Sequence, residues 1–372
     1  MGPNPPSWRR FLIPGAFVLL LFVVLYGRVP EDVQRVSEPA AREIHSAAFG
    51  TTLSIKVWGR PEVADDVIAE AIAEVITSVN DSMSTYNPRS ELSRFNAAPV
   101  GVTATISAGF AAVMVEAEKI FEETGGAFDP TVGPIVDAWG FGPEERVEPP
   151  KPEEIAVART KVGMPKLRFE GVTLEKSVEG LHLDLSAIAK GWAVDEAARA
   201  LDGLGFENHL VEIGGEVRAT GSSPKGRPWK VGIERPEAGI GSRVAAAIPL
   251  DGASLATSGG YRNFVTIDGA RVTHIIDPRT GEPVGHGLGS VSVLAASCVR
   301  ADALATALFV MGAEEGLAWA ESQGVAALFL TLADEKVERA STGTFDRITR
   351  ASSSFGGAPV AGDESAPEEK SP

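Results

Sequence analysis

The stretch VTHIIDPRTG, residues 272–281, carries an apolar strand pattern directly into a turn. Its second half, Asp-Pro-Arg-Thr-Gly, is typical turn chemistry, because each of these residue types favours a tight reversal of the backbone. We therefore expect His274, Asp277 and Arg279 to lie at one edge of a sheet, where polar side chains can face a ligand.

A helical stretch, RADALATALFVM, follows at residues 300–311. Asp302 and Thr306 are four residues apart in it, so they project from the same face of the helix. A carboxylate and a hydroxyl in this arrangement suit Mg²⁺, which takes few protein ligands and completes its shell with phosphate oxygens and water. The alternative is that Asp302 caps the helix and Thr306 is an ordinary helical residue.

The rest of the chain mixes short strands with amphipathic helices, without the regular strand-helix alternation of a doubly wound fold. Strands are predicted at 53–57, 167–169, 172–174, 181–185, 210–213, 229–233, 244–248, 264–267, 272–276 and 291–294. Helices are predicted at 61–83, 108–123, 188–204 and 300–311. The fold class is therefore α+β, with a mixed, mostly antiparallel sheet and packed helices, and its size is consistent with two closely packed lobes.

The N-terminus predicts a membrane segment. An apolar run from Phe11 to Tyr26 follows two arginines, which favour a cytoplasmic N-terminus and an exported domain. We interpret the chain as a signal-anchor segment (1–30), a linker (31–44), a folded domain (45–350) and a disordered tail (351–372). The expected location is the cytoplasmic membrane, with the folded domain on the extracytoplasmic, periplasmic side.

The composition of the chain argues against nucleic acid as a partner and excludes an intrachain disulfide bond. The chain has 50 acidic and 34 basic residues and a net charge of −16, so nucleic acid is not expected as a partner. Cys298 is the single cysteine, which excludes a disulfide within one chain.

Four further polar or glycine-rich clusters occur between predicted elements, at 84–92, 125–134, 184–191 and 256–263. The last is a small-residue turn that could hold an anion or be a plain hairpin corner. In the first, Tyr86 could stack on a planar ring; in the second, glycines allow close approach of backbone to a ligand. The third joins a strand to a helix, where free backbone groups suit phosphate and metal. The alternatives are an aromatic cover on the core, a loop that ends a helix, and a helix cap beside a solvated lysine.

Taken in order, these blocks resemble the ApbE-type FAD:protein FMN transferases. The resemblance covers about residues 49–312 and rests on seven blocks: 83–96, 126–136, 183–195, 211–216, 257–259, 274–281 and 301–312. It implies a bound FAD, a magnesium site, export across the cytoplasmic membrane, and attachment of FMN to a Ser or Thr of a partner protein through a phosphoester.

The resemblance also implies site residues. FAD contacts are expected at Phe49, Tyr86, Ala127, Phe128, Asp129, Asp184, Lys190 and Ile276. Mg²⁺ would be held by the main-chain carbonyl of Ala187, the carboxylate of Asp302 and the hydroxyl of Thr306. Phe49 departs from the family pattern, which usually has Met at this position.

The reaction that follows is attack of the partner's hydroxyl on the FMN-side phosphorus of FAD, with AMP leaving. His274 is the predicted base, since its ordinary pKa lies near neutrality, and Asp277 is a second candidate. The alternative is that His274 orients Asp277 or packs at the sheet edge. Two other functions use the same residues: an FAD pyrophosphatase that releases FMN and AMP, and a non-enzymatic extracytoplasmic flavin-binding protein. The family suggests acceptor subunits of a sodium-pumping NADH:quinone reductase or an Rnf-type complex.

Overall fold

An eight-stranded antiparallel sheet organises the protein. In this computed structural model, the described residues are 41–143, 146, 148–236, 244–260, 264–267, 270–333 and 336–353. The strands are β1 (Arg42–Ala48), β2 (Thr51–Trp58), β3 (Ala104–Thr105), β4 (Leu167–Glu170), β5 (Thr173–Lys176), β6 (Asn208–Ile213), β7 (Glu216–Thr220), β8 (Trp229–Glu234), β9 (Val244–Leu250), β10 (Ala253–Gly259), β11 (Phe264–Ile267), β12 (Ala270–Thr273), β13 (Leu288–Ala295), β14 (Ala326–Ala333) and β15 (Lys336–Ser341).

The strand order of the large sheet is β1-β2-β6-β7-β10-β13-β14-β15. Smaller sheets are formed by β3-β5-β4, by β8-β9 and by β11-β12, and every pairing of described strands is antiparallel. The predicted α+β class with a mostly antiparallel sheet is confirmed.

Two long helices cover one face of the sheet. The α-helices are α1 (Asp65–Met83), α2 (Glu91–Ala97), α3 (Ala108–Glu123), α4 (Gly133–Ala138), α5 (Pro152–Arg159), α6 (Ala189–Gly203), α7 (Cys298–Ser322) and α8 (Gly343–Ser353). The helix α6 packs on β6 and β7, α7 packs on β10 and β13, and the two helices pack against each other. The β8-β9 hairpin and α8 share a separate apolar cluster with the sheet.

The helix α7 is the central element of the core. Most of its residues from Cys298 to Gly312 are buried, and it contributes to the largest apolar cluster. Although it is long and apolar enough to cross a membrane, 61% of its most apolar window is buried inside the protein, as in a core helix. At Gly312 the backbone leaves helical geometry, with φ 82°, so the helix has a break there.

Several boundaries differ from the sequence predictions. Residues 181–185 alternate in polarity but form no strand, because side chains satisfy part of their backbone: Asn96 bonds both the N–H and the carbonyl of Leu183, and Lys176 bonds the carbonyl of Leu181. The strand predicted at 272–276 ends at Thr273, which leaves His274 in the turn that follows. The helix predicted at 300–311 begins at Cys298 and continues beyond Gly312.

The domain limits also shift. The strand β1 begins at Arg42, inside the predicted linker, because it pairs along its length with β2. The helix α8 ends at Ser353, inside the predicted tail. The described residues form one compact unit, so the expected two lobes are not seen in them. The predicted signal-anchor segment, residues 1–30, lies outside the described residues.

Candidate functional site

A single cleft of about 870 Å³ brings together residues that are far apart in the chain. Its volume falls within the range of small-molecule and cofactor sites. Of the residues predicted from the sequence, the following line it: Phe49, Tyr86, Ala127, Phe128, Asp129, Asp184, Ala187, Lys190, His274, Ile276, Asp302 and Thr306. Asp277 is the predicted site residue that does not line this cleft.

The buried side of the cleft is charged, and we call Lys190, Glu216, Asp302 and Thr306 its floor. The Lys190 Nζ lies 3.0 Å from Glu216 Oε1 and 3.6 Å from Asp302 Oδ1. The other oxygen of Asp302 accepts a hydrogen bond of 2.9 Å from the backbone N–H of Gly191. Glu216 and Asp302 are 3% and 2% exposed, so the two carboxylates are desolvated, whereas 31% of the Lys190 side chain is exposed.

Burial and mutual charge set the protonation of these groups. Burial alone would lower the pKa of Lys190, but the charges of Asp302 and Glu216 outweigh burial and raise it. Burial raises the pKa of Glu216, although the charge of Lys190 opposes the shift. Lys190 therefore stays protonated, while the Glu216 carboxyl loses its proton at a higher pH than an ordinary glutamate does.

The floor also offers oxygen donors suited to a hard cation. The Thr306 Oγ1 lies 2.9 Å from the hydroxyl of Ser258, and Ala187 lines the same cleft as Thr306 and Asp302. Glu216 adds a buried Oε2 that has no hydrogen-bond partner. No cluster of three or more His, Cys, Asp or Glu side chains that could hold a metal occurs in the described part of the chain. The donors fit Mg²⁺, which needs few protein ligands and prefers carboxylate, hydroxyl and carbonyl oxygens.

Two aromatic side chains, Phe49 and Tyr86, form what we call the rim of the cleft. Tyr86 is 72% exposed and Phe49 is 36% exposed. Phe49 and Gly50 form the two-residue turn between β1 and β2, with φ values of 52° and 75°. Two positive φ values are typical of a type I′ hairpin turn, where Asn or Gly is favoured. An exposed phenylalanine is strained there, which indicates that its ring serves a ligand rather than the fold.

A second cavity, of about 670 Å³, continues from the first on the side of α1. Both are lined by Phe49, Tyr86, Ser186 and Lys190. The rim therefore borders both cavities, which gives an elongated ligand or a second reactant a way to the floor.

Loops without regular secondary structure supply the remaining predicted contacts. Asp129 accepts hydrogen bonds from the backbone and hydroxyl of Thr131, and burial raises the pKa of its carboxyl despite these bonds. Asp184 accepts from the N–H and hydroxyl of Ser186, and its own N–H donates to the carbonyl of Pro130 at 2.8 Å. This last bond joins the 125–134 and 184–191 clusters, which the sequence presents as separate.

The two predicted bases have different surroundings. His274 lines the cleft and lies edge-on to Phe141, with the ring centroids 6.5 Å apart. The carboxylate of Asp277 is bonded by Arg279 through its backbone N–H, its Nε and its Nη2. Arg279 also contacts Glu315 at 2.8 Å. These bonds hold the turn together, and a catalytic role for Asp277 stays a prediction.

The sequence did not assign Glu216 to the site, and it indicated Ser258 only as part of the 256–263 turn that could hold an anion. Both lie in blocks that carry the family resemblance, but nothing in the sequence joins Glu216 to Lys190, 26 positions away, or Ser258 to Thr306, 48 positions away. Glu216 begins a strand directly after Gly214 and Gly215, and a charged residue beside such a turn is usually exposed, so no local signal indicated its burial.

The chain is similar in sequence to known flavin transferases. The ApbE family model matches residues 49–329. The FAD:protein FMN transferase of Vibrio cholerae is 42% identical over 312 residues, covering 83% of this chain and 93% of that protein. That of Haemophilus influenzae is 41% identical over 309 residues, covering 81% and 89%.

Solved structures show the same similarity. The flavin transferase ApbE from Vibrio cholerae superposes with a TM-score of 0.76 at 41% identity, covering 83% of this chain and 99% of that one. The apo form of Pseudomonas stutzeri flavinyl transferase ApbE has a TM-score of 0.76 at 36% identity, covering 84% and 97%.

Proposed function

The chain belongs to the ApbE family and is a transferase, and on this basis we propose that it transfers FMN from FAD to a Ser or Thr hydroxyl of a partner protein. The transfer is Mg²⁺-dependent, joins FMN to the hydroxyl oxygen through a phosphoester, and releases AMP. The observation that carries the proposal is the single cleft in which an aromatic rim faces a buried floor of one cation and two carboxylates.

The shape and polarity of the cleft match a dinucleotide. An isoalloxazine ring has apolar faces that can stack on Tyr86 or Phe49 at the rim. The diphosphate bridge carries negative charge, which the permanently protonated Lys190 can stabilise. The carboxylates of Asp302 and Glu216 would repel the same diphosphate, and a cation held beside them would offset this repulsion.

We propose that Asp302, the hydroxyl of Thr306 and the main-chain carbonyl of Ala187 hold Mg²⁺. When bound, Mg²⁺ neutralises charge on the phosphates and on the leaving AMP, which is where much of the catalysis of phosphoryl transfer resides. Ser258 supports this set by its hydrogen bond to Thr306.

The proton of the acceptor hydroxyl needs a base. His274 is our candidate, because it lines the cleft and its ordinary pKa lies near neutrality. In the transfer step, the acceptor's hydroxyl oxygen forms a bond to the FMN-side phosphorus of FAD, while the bond from that phosphorus to the bridging oxygen of the diphosphate breaks. His274 takes the hydroxyl proton, and the bridging oxygen leaves with AMP.

We further propose that residues 1–30 anchor the protein in the cytoplasmic membrane, with the transferase domain on the periplasmic side. The acceptor would be a membrane-associated flavoprotein subunit of the sodium-pumping NADH:quinone reductase or Rnf type. Fractionation of cells, combined with sequencing of the mature N-terminus, tests the location. Recovery of the protein in the cytoplasm would contradict it.

The decisive experiment incubates the protein with FAD, Mg²⁺ and a candidate acceptor domain. Transfer yields FMN that stays on the acceptor after denaturation, together with one AMP for each FMN attached. A control acceptor with its target Ser or Thr changed to Ala should take no FMN. Free FMN and AMP without an adduct would mean hydrolysis instead, and unchanged FAD would mean binding alone.

A further inference from the structure

The helices α6 and α7 approach each other so closely that the contact requires a glycine. A Cβ built on Gly191 of α6 would lie 2.4 Å from the carbonyl oxygen of Cys298 and 2.8 Å from the Cβ of Asp302. The first of these neighbours is backbone and cannot rotate away. This contact also allows the Gly191 N–H to reach Asp302, so the placement of Asp302 depends on how α7 is seated on α6.

Asp195 lies one turn after Gly191 on α6 and binds the start of α7. Its Oδ1 accepts a hydrogen bond of 3.0 Å from the N–H of Cys298, and its Oδ2 accepts one of 2.9 Å from the N–H of Val299. Ser297 is the N-cap residue of α7 but makes no side-chain cap bond. The free amides at the start of this helix are thus capped by a carboxylate from a neighbouring helix.

Arg218 of β7 completes the arrangement. Its Nη1 lies 2.9 Å from Asp195 Oδ1 and also donates a bond of 2.8 Å to the carbonyl of Ala296. The arginine therefore compensates the charge of Asp195, which is 4% exposed. It also binds the residues just before α7, so helix start, carboxylate and sheet are held as one unit.

We propose that Asp195 is a positioning residue for the transfer reaction: it fixes the start of α7 on α6 and so sets where the Asp302 carboxylate lies relative to Lys190 and Gly191. Asp195 is not among the residues that line the cleft, and it acts on the reaction through α7. Asp302 follows Cys298 by one helical turn, so a small displacement of the helix start moves the carboxylate by a similar amount. The inference rests on the proposed function, because it concerns the proposed Mg²⁺ ligand.

The test measures Mg²⁺ binding to the FAD-loaded, full-length protein without an acceptor, as the Mg²⁺ concentration that gives half of the maximal rise in melting temperature. We expect Asp195→Asn to raise this concentration by about 10-fold and Asp195→Ala by more, as loss of supporting contacts around a metal site usually does. The matched control is Asp202→Asn, which removes a 2.8 Å contact between α6 and His209 but none to α7. The control should keep the wild-type Mg²⁺ concentration.

If Asp195 had a purely structural role, the Mg²⁺ titration would give a different result. The melting temperature without Mg²⁺ would fall in the Asp195 variants while the half-saturating Mg²⁺ concentration stayed at the wild-type value, and this would overturn the proposal. Should Asp195→Ala not fold, Asp195→Asn and Arg218→Lys still decide the matter, since both keep part of the contact set and should shift Mg²⁺ binding in the same direction. If Asp302→Ala binds Mg²⁺ as strongly as the wild type, the proposed metal site fails and this inference fails with it.

Discussion

The floor of the cleft is buried and charged, whereas its rim is aromatic and open to solvent. On the floor, Asp302 is held by the N–H of Gly191 and by Lys190, so its carboxylate has one defined position. At the rim, Tyr86 is 72% exposed and Phe49 occupies a strained turn. Fixed, desolvated charges suit the chemical step, because they need no reorganisation during reaction. Exposed rings suit binding, so changes on the floor should affect catalysis and changes at the rim should affect affinity.

The largest expected effect is that of Asp302→Ala. Loss of a proposed Mg²⁺ ligand should reduce FMN transfer by about a thousandfold or more, since catalytic metal ions contribute several kcal/mol of transition-state stabilisation. Single-turnover transfer to an acceptor domain measures the loss, and circular dichroism checks the fold. Asp251→Ala, at an exposed turn position, is the control. A wild-type rate in Asp302→Ala would mean that the carboxylate of Asp302 takes no part in the transfer reaction.

His274→Ala is expected to lower transfer by roughly a hundred- to ten-thousandfold, the usual range for loss of a general base. Asp277→Asn is the comparison, and it should keep most of the activity because Arg279 already engages that carboxylate outside the cleft lining. Equal losses in the two variants would make Asp277 part of the proton transfer.

Tyr86→Ala tests the rim. Loss of ring stacking should raise the KM for FAD by about 2- to 10-fold, in line with the energy of an aromatic pair, and change kcat little. Tyr86→Phe keeps the ring and should behave as the wild type does. A fall in kcat as large as that in His274→Ala would mean that Tyr86 of the rim contributes to the chemical step and not only to FAD binding.

Phe49→Asn should separate stability from function. Asn tolerates a positive φ better than Phe, so the free energy of unfolding should rise by about 1 kcal/mol, while the affinity for FAD falls. Urea unfolding and FAD titration measure the two quantities. The reverse pattern, with lower stability and unchanged affinity, would mean that the Phe49 ring serves the fold.

The smallest expected effect is a change in how stability depends on pH. Because burial raises the pKa of Glu216 above its ordinary 4.5, the folded protein keeps this proton where the unfolded chain has lost it. The contribution of Glu216 to stability therefore decreases as the pH rises from about 4.5 through the raised pKa. Glu216→Gln does not titrate, so it should gain stability over the wild type across this interval, as measured by melting temperature. If the melting temperature changed with pH in the same way in both proteins, the Glu216 carboxyl would be solvated, as the side chains of the rim are.

Local signals explain which elements were predictable. The helix α3 agrees with its prediction because Ser107 caps it, by a 3.3 Å bond to the N–H of Phe110, and two glycines end it. The strands β10 and β14 were missed, since central strands covered on both faces lose the polar alternation that marks a strand. Residues 181–185 show the converse, because they alternate in polarity but form hydrogen bonds with side chains.

The amino-acid order specified the fold class, the Asp302/Thr306 pair and the blocks that mark the family, because periodicity, turn chemistry and short motifs act within a few residues of each other. The charged floor could be recognised only in the tertiary structure, since Lys190, Glu216 and Asp302 come from three separate elements. The same holds for the cap that Asp195 places on α7. Hydrogen bonds and ion pairs of this kind depend on distance in space, and close packing of helices on a sheet brings together groups that are a hundred residues apart in sequence.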